Sequence, residues 1–257
     1  MTMQDDLGWA NLNWEVEQAC REAWPAAVET VVDGWLFRQS GGRIRRPNSV
    51  NPLRGKRGAP EAVLDAAEAF YTSHGQTPLF RVPEIAADME TALDNRGYQT
   101  EGGTIHLHAG IDELAEVRDE QVTVSPTPSE GWLAARFRMG AYDDADRRIF
   151  RDMTGLIVGD KAFVSCVRDN EIAAVAYGVV RHGLLVVESV ETDGRFRQQG
   201  LGRRTVGGLI DWARRAGASA ACLQVVADNT PARALYASLG FRRELYRYHY
   251  RRKAIAA

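Results

Sequence analysis

The hydrophobic and polar positions in the second half of the chain alternate between the period of a strand and the period of a helix. Val206, Leu209, Ile210 and Ala213 recur at i, i+3, i+4 and i+7, which predicts an amphipathic helix over Leu201–Ala216. Short apolar runs flank this segment, and their lengths are typical of buried strands. The pattern therefore predicts an α/β unit in this half of the chain.

The other elements of this half follow from the same periods. Strands are predicted at Val122–Val124, Ala162–Val167, Ile172–Val180, Leu184–Val190, Ala221–Val226 and Leu245–Tyr250, and helices at Glu130–Met139, Asp143–Ile157 and through Tyr236. Asp169-Asn170 is a turn signal that joins the second and third of these strands into a hairpin.

The first half of the chain predicts a shorter version of the same arrangement. Helices are expected at Asn13–Trp24 and Ala62–His74, and strands around Trp35–Phe37, Ile44–Val50 and Thr104–His108. Gly97-Tyr98 precedes a strand as Gly240-Phe241 does, at a separation of about 143 positions. We interpret this as a diverged internal repeat. The charged stretch Glu113–Gln121 then marks a boundary between domains at 1–118 and 119–257.

Composition and net charge limit the kinds of molecule that the protein is expected to bind. The chain has 257 residues, enough for two compact units, with 45% hydrophobic and 26% charged residues. A net charge of −2 supplies no overall basic field for nucleic acid or membrane. No apolar run approaches the length of a membrane span, and the polar N-terminus is unlike a signal peptide. We expect a cytoplasmic protein that acts on a small molecule or a peptide, and a homodimer is left open.

Cysteine and histidine give no sign of a metal or a disulfide framework. Cys20, Cys166 and Cys222 are widely spaced and odd in number. His106 and His108 alternate along a predicted strand and would need a third ligand to hold a metal. No metal is therefore predicted.

A glycine-containing loop, Arg197–Gly202, joins the strand Leu184–Val190 to the amphipathic helix. The first amides of a helix lack intrahelical partners and carry the positive end of its dipole, so they bind anions. Gly200 and Gly202 let the backbone approach a ligand closely. Arginines at 197, 203 and 204 add guanidinium groups suited to phosphate. The loop therefore predicts a pyrophosphate site.

Two common nucleotide loops do not fit this segment. A P-loop requires lysine and then serine or threonine after its last glycine, but Gly202 is followed by two arginines. A dinucleotide fingerprint requires a third glycine where Thr205 stands, and an acidic residue at the end of the next strand, where Gln224 stands. The spacing that remains is Arg/Gln-x-x-Gly-x-Gly/Ala.

Two further segments follow in a characteristic order. Asp228-Asn229 comes after the next strand, and Leu235-Tyr236 precedes Leu239-Gly240-Phe241. With the loop, these segments resemble the GNAT family of acyl-CoA-dependent N-acetyltransferases over roughly Val122–Arg252. The resemblance implies an α/β (α+β) fold with a mixed, mostly antiparallel sheet flanked by helices, preceded by a shortened GNAT-like domain.

The resemblance also implies an activity, the direct transfer of acetyl from acetyl-CoA to a primary amine. No Cys-His or Ser-His arrangement favours an acyl-enzyme. The first unit is expected not to catalyse, because Leu93 stands where the repeat would place Tyr236, and Arg57 and Ala59 stand where it would place Gly200 and Gly202. The alternative is a regulatory module that binds acyl-CoA without turnover.

Two residues are expected to move protons. The resemblance implies that Tyr236 is the acid for the departing thiolate. Glu188 is the candidate base because apolar neighbours along its strand would raise the pKa of its carboxyl group, and a substrate-binding carboxylate or an ordinary ion pair is the alternative. Alternation along the strand places Glu188 and Glu191 on opposite faces. Asn229 either orients the cofactor or caps a helix. The expected contacts to acetyl-CoA come from Val190, Glu191, Thr192, Arg197, Gln198, Gln199, Gly200, Leu201, Gly202, Arg203 and Asn229.

Overall fold

The computed structural model describes residues 3–253, with side chains from residue 8 onward. The chain forms two compact units. Unit 1 takes in residues 25–105 together with the described parts of 1–14 and 246–257. Unit 2 takes in residues 15–24 and 106–245.

The described part of the chain contains seven α-helices and eleven strands. The helices are α1 Met3–Ala23, α2 Pro60–Ser73, α3 Glu90–Asn95, α4 Glu130–Met139, α5 Asp144–Leu156, α6 Leu201–Arg215 and α7 Thr230–Leu239. The strands are β1 Val28–Val32, β2 Trp35–Gln39, β3 Val50–Pro52, β4 Leu79–Pro83, β5 Tyr98–Gly110, β6 Val122–Ser125, β7 Asp160–Arg168, β8 Glu171–Arg181, β9 Leu184–Thr192, β10 Ala220–Val226 and β11 Arg243–Lys253.

Unit 1 is a sheet with α2 packed against it. Its strand order is β1-β2-β3-β4-β11, followed by the first part of β5. β3 and β4 are parallel, whereas β11 runs antiparallel to β4. The core is formed by Trp35 and Phe37 of β2 with Leu64 and Tyr71 of α2, all fully buried. Burial of these large side chains stabilises the unit.

The strands of unit 2 lie in the order β5-β10-β9-β8-β7-β6, where only the end of β5 belongs to the unit. β6 to β9 are antiparallel neighbours, and β9 with β10 is a parallel pair. α6 packs on one face of the sheet, near Gly178, and the last turn of α1 with α5 packs on the other, near Tyr177. This arrangement confirms the predicted mixed, mostly antiparallel sheet flanked by helices.

The elements of unit 2 follow the sequence prediction closely. α4 has the predicted bounds, and the Asp169-Asn170 turn has φ values of 52° and 62°, as a tight hairpin requires. Unit 1 differs more, because β1 and β4 were not predicted. Of the strand expected at Ile44–Val50, only Val50 lies in a strand.

The division between the units also differs from the expected boundary at residues 118 and 119. It falls between Ile105 and His106, and residues 15–24 belong to unit 2. The terminal strand belongs to unit 1 from Tyr246 onward, because it pairs with β4, as Tyr248 with Pro83. Such long-range pairing has no local sequence signal. That unit 1 descends from a GNAT-like repeat stays a prediction.

Candidate active site

The glycine loop opens α6 as the sequence predicts. Gln198 and Gly200 have φ values of 62° and 75°, and α6 begins at Leu201. The first backbone bond that closes the helix runs from the Arg204 amide to the Gly200 carbonyl, at 3.1 Å. The amides of Leu201 and of the two residues after it therefore precede any helical acceptor and point out of the helix end. This is the geometry that an anion uses.

Residues of β9 and α7 pack close to the loop at Gly202. A Cβ atom added to Gly202 would lie 3.4 Å from both Leu235 Cδ2 and Thr192 Oγ1, whereas one added to Gly200 would meet nothing within 4 Å. The start of α6, the end of β9 and one face of α7 therefore meet at Gly202. Residues 197–200 are exposed to solvent.

The arginines near the loop divide into two groups. The sequence predicted that Arg204 faces the loop, but it does not. Its guanidinium pairs with Asp119 at 3.2 Å and donates a hydrogen bond to Gln121 at 3.2 Å. Arg197 is exposed and Arg203 is half-buried, and both flank the opening of α6. These two remain the candidates for phosphate.

The parallel strands β9 and β10 separate beside this loop. Their pairing runs from Leu184 with Ala220 to Val187 with Leu223 and stops there, although β9 continues to Thr192. Among the described residues, the ladder between β9 and β10 does not extend beyond Val187. The backbone of β9 from Val190 to Thr192 therefore lies on a strand edge of the kind that pairs with an extended ligand.

A β-bulge reverses the alternation of side chains within the same stretch of β9. Tyr177 pairs with Glu188 and Val175 pairs with Glu191, so β9 has one residue more than β8 between these pairs. Ser189 has a φ of 51°, which accommodates the extra residue. Glu188 and Glu191 therefore share a face, and the expectation that they point to opposite faces was wrong. Strict alternation holds only for a strand without a bulge.

The carboxylate of Glu191 is engaged by α4 and the loop after it. It accepts a hydrogen bond from the Tyr142 hydroxyl at 2.7 Å and forms an ion pair with the buried Arg136. The guanidinium carbon of Arg136 lies 4.4 Å from the ring centroid of Phe150. Burial raises the pKa of Tyr142 to about 12, so this phenol stays protonated and donates. One oxygen of the Glu191 carboxylate, Oε1, is thus bonded by both Arg136 and Tyr142.

α7 carries Tyr236, and Asn229 stands at its N-terminus. Tyr236 is 7% exposed, and its ring packs edge-to-face on Phe241 with centroids 6.2 Å apart. Asn229 caps α7, since its side-chain oxygen accepts the Ala232 amide at 3.1 Å. The cap is thus present, and a contact of Asn229 to cofactor stays a prediction.

In unit 1, the loop that aligns with the glycine loop is occupied by the side chain of Arg57. Arg57 donates to the carbonyls of Leu53 and Gly55 at 2.9 and 3.4 Å and pairs with Asp88 at 2.9 Å. Leu93 is fully buried in the core of this unit. These contacts favour a structural role for the loop. That unit 1 lacks catalysis remains a prediction.

Sequence reasoning missed a buried polar cluster in unit 2. Glu17 and Cys20 of α1 lie against His106 of β5 and the β10 residues Cys222 and Gln224. An even spacing of polar residues along β5 and β10 was the available signal, but nothing in the sequence paired them with α1. Over residues 8–253, no group of three or more His, Cys, Asp or Glu side chains is arranged to hold a metal. None of the described helices is both long and apolar enough to cross a membrane.

Comparison with known proteins agrees with this geometry. Residues 14–252 match the model of the family described as "Probable histone acetyltransferase Rv0428c C-terminal". The chain belongs to that family of GNAT N-acetyltransferases. It is also similar to "Uncharacterized N-acetyltransferase YobR" of Bacillus subtilis, with 22% identity over 93% of this chain and 98% of that protein.

Solved structures share the fold. A GCN5-related N-acetyltransferase from Kribbella flavida superposes with a TM-score of 0.71 at 16% identity, covering 96% of each chain. A tandem GNAT protein from the clavulanic acid biosynthesis pathway gives a TM-score of 0.62 at 14% identity, covering 82% of this chain and 78% of that one. At such identities the likeness concerns the fold alone. The family match and the shared fold together show that the chain is an acyltransferase of the GNAT type.

Proposed function

We propose that this GNAT protein transfers an acetyl group from acetyl-CoA directly to a primary amine of a small molecule or a peptide. The observation that carries the proposal is the end of parallel pairing at Val187 and Leu223, beside a glycine loop that opens a helix. An open strand edge and an anion site at its end suit a long donor with a pyrophosphate.

The donor would lie along β9 and end at α6. The backbone of Val190, Glu191 and Thr192 would pair with the pantetheine arm. The amides at 200–203, together with the guanidinium groups of Arg197 and Arg203, would hold the pyrophosphate. Gly202 supports this placement, because a Cβ atom there would already contact Leu235 and Thr192 at 3.4 Å.

Two residues would carry the proton transfers, Tyr236 as the donor and Glu188 as the acceptor. The neutral amine attacks the thioester carbonyl, the C–S bond breaks, and the thiolate takes a proton from the Tyr236 hydroxyl. Glu188 takes the proton that the new amide nitrogen releases. Glu188 is favoured over Glu191 because one oxygen of the Glu191 carboxylate is already bonded by both Arg136 and Tyr142.

Direct transfer is favoured by the burial of the cysteines. Cys20, Cys166 and Cys222 are all buried free thiols, at most 6% exposed. A covalent acyl-enzyme needs an accessible nucleophile beside a base. The described cysteines do not provide one, and a ternary complex follows.

Calorimetric titration with acetyl-CoA and CoA, followed by thiol release across amines, polyamines, amino acids and peptides, tests this proposal. Saturable binding with amine-dependent thiol release, and an acetylated product by mass spectrometry, is expected. Binding without release would replace the proposal with the regulatory acyl-CoA module. Absence of binding would overturn the donor site itself.

A further inference from the structure

Unit 2 has a second cleft, with a volume of about 500 Å³. Its walls come from the end of β5, the turn that follows β5, and the segment that joins α7 to β11. The lining residues are His108, Glu113, Gly240, Arg242 and Arg243. A cleft of this size can hold a small molecule, because ligand pockets have volumes of about 300–1,000 Å³.

The cleft lies at the opposite end of α7 from the candidate donor site. α7 begins after its cap Asn229 and ends at Leu239, directly before Gly240. Its ten residues span about 15 Å at the rise of an α-helix. None of the residues proposed above to hold acetyl-CoA lines this cleft. The two sites are therefore separate.

Close packing fixes one wall of the cleft. Gly240 has a φ of 107°, and a Cβ atom added there would lie 2.6 Å from the Glu113 carbonyl oxygen. Only glycine allows both this conformation and this approach. The Arg214 side chain of α6 donates to the carbonyls of Ile111 and Leu114 at 2.9 and 2.6 Å. The turn that carries Glu113 is therefore held from two sides.

His108 is the buried polar residue of the cleft. It is 6% exposed, and its Nδ1 atom is buried without a hydrogen-bond partner among the described residues. A buried polar atom without a partner costs free energy. Burial and the charge of Arg243 lower the pKa of His108, against the opposing charge of Glu113. The neutral ring that results has one donor and one acceptor nitrogen.

The charged side chains of the cleft leave it with an excess of positive charge. Arg242 and Arg243 are exposed, and Arg242 forms no hydrogen bond or ion pair with any residue that the structure describes. Glu113 is exposed as well, but one of its carboxylate oxygens accepts the Gly110 amide at 2.8 Å. Two guanidinium groups against one carboxylate give the cleft a net charge of about +1 with His108 neutral.

We propose that this cleft binds a small molecule through an oxyanion, that is, a carboxylate or phosphate group. Arg242 and Arg243 hold the oxyanion, since guanidinium groups match both kinds of group in charge and in geometry. The ring N–H of His108 is a further donor. The site does not depend on acetyl transfer or on the donor loop.

NMR of the His108 ring tests the site without turnover. Acetate and inorganic phosphate are the probes, with chloride at the same ionic strength as the reference. The resonance is assigned by its loss in His108→Gln. An oxyanion bound beside the ring should raise the titration midpoint of His108 saturably, by about half a unit or more, because it favours the cationic ring.

Each result of this titration decides the proposal. A shift with acetate alone or with phosphate alone upholds the site and identifies the group that it prefers. A midpoint that neither probe moves beyond the chloride reference overturns the site.

Two variants of the cleft should act in opposite directions on the affinity for the probe. Arg242→Gln removes a charge-assisted hydrogen bond and should weaken binding about tenfold. Glu113→Gln keeps an oxygen for the Gly110 amide, removes the like charge and should tighten binding. Arg148→Gln, at an exposed arginine of α5 outside the cleft, is the matched control and should keep the wild-type affinity.

Equal affinity in Arg242→Gln and Arg148→Gln would show that the anion binds elsewhere and would overturn the proposal. Calorimetry with acetyl-CoA separates the cleft from the donor site. Arg242→Gln should bind acetyl-CoA as the wild-type protein does, and a parallel loss of both affinities would contradict a separate site. In a protein that does not bind acetyl-CoA, the His108 titration still decides the cleft, so the failure of one proposal is distinguishable from the failure of the other.

Discussion

Glu188 and Glu191 lie on the same face of β9 although they are three residues apart. The bulge at Ser189 brings them there, where the pairing of β9 with β10 has ended. Their surroundings differ, since Arg136 and Tyr142 occupy the Glu191 carboxylate, whereas Glu188 lies close to the buried polar cluster. One carboxylate therefore fixes structure, and the other is the candidate base.

Gly202→Val should weaken binding of acetyl-CoA and of CoA at least tenfold. The added atoms begin 3.4 Å from Leu235 and Thr192 and must push into the cradle at the start of α6. Calorimetry measures the change. Gly155→Val, at an exposed helical glycine of α5 whose Cβ would meet nothing within 4 Å, is the matched control and should keep full affinity. Equal affinity in both variants would remove the loop from the donor site.

Tyr236→Phe should lower kcat by tenfold or more and leave the affinity for acetyl-CoA nearly unchanged. The variant removes only the hydroxyl that would protonate the thiolate, and a positioned proton donor contributes about 10²–10⁴-fold. Steady-state kinetics at a saturating concentration of amine measures kcat. Tyr98→Phe, at a buried phenol of unit 1 that bonds Glu68, should not change kcat. An unchanged kcat in Tyr236→Phe would make that side chain a packing residue.

Substitutions of Asn229 separate its two expected roles. Asn229→Ala should lower the free energy of unfolding by about 1 kcal/mol, because the Ala232 amide loses its cap. Asn229→Asp keeps the cap and should keep that stability, yet weaken acetyl-CoA binding several-fold by repelling its phosphates. Urea unfolding and calorimetry measure the two effects. Full affinity in Asn229→Asp would restrict the residue to capping.

Asp193→Asn should lower stability in a pH-dependent way. Hydrogen bonds from the Arg195 side chain hold the pKa of Asp193 well below its usual range. A lowered pKa in the folded state stabilises the protein above the unfolded value of about 3.9, and the effect fades as the pH falls below it. The melting temperature should therefore drop by about 2–4 °C at pH 7, and the gap to wild type should begin to narrow as the pH falls below about 4.

The asparagine at 193 retains the cap on the Arg195 amide, so this comparison isolates the charge. Asp169→Asn, at an exposed turn position with positive φ, is the control and should show no such gap. A gap for Asp193→Asn that stays constant from pH 7 to pH 3 would show that the ion pair contributes nothing.

The fold of unit 2 could be predicted from local patterns, because α5 and α6 are strongly amphipathic and the turn residues of this unit favour turns by their own chemistry. The Asp169-Asn170 turn and the Leu201 start of α6 depend on residues within a few positions. The pairing of β11 with β4 could not be predicted, since its residue pairs, from Tyr248 with Pro83 to Arg252 with Leu79, are 165 to 173 positions apart. Nothing local in either strand specifies its neighbour.

The sequence by itself determined the family, the glycine loop that opens α6 and the order of elements around Tyr236, because each depends on short-range spacing. The tertiary structure alone decided the face of Glu191, the turn of Arg204 toward Asp119 and the contact of Glu17 with His106. A bulge is fixed by the registers of two strands, and a buried contact by the packing of distant segments. Both features therefore depend on the whole chain, and no local sequence pattern predicts them.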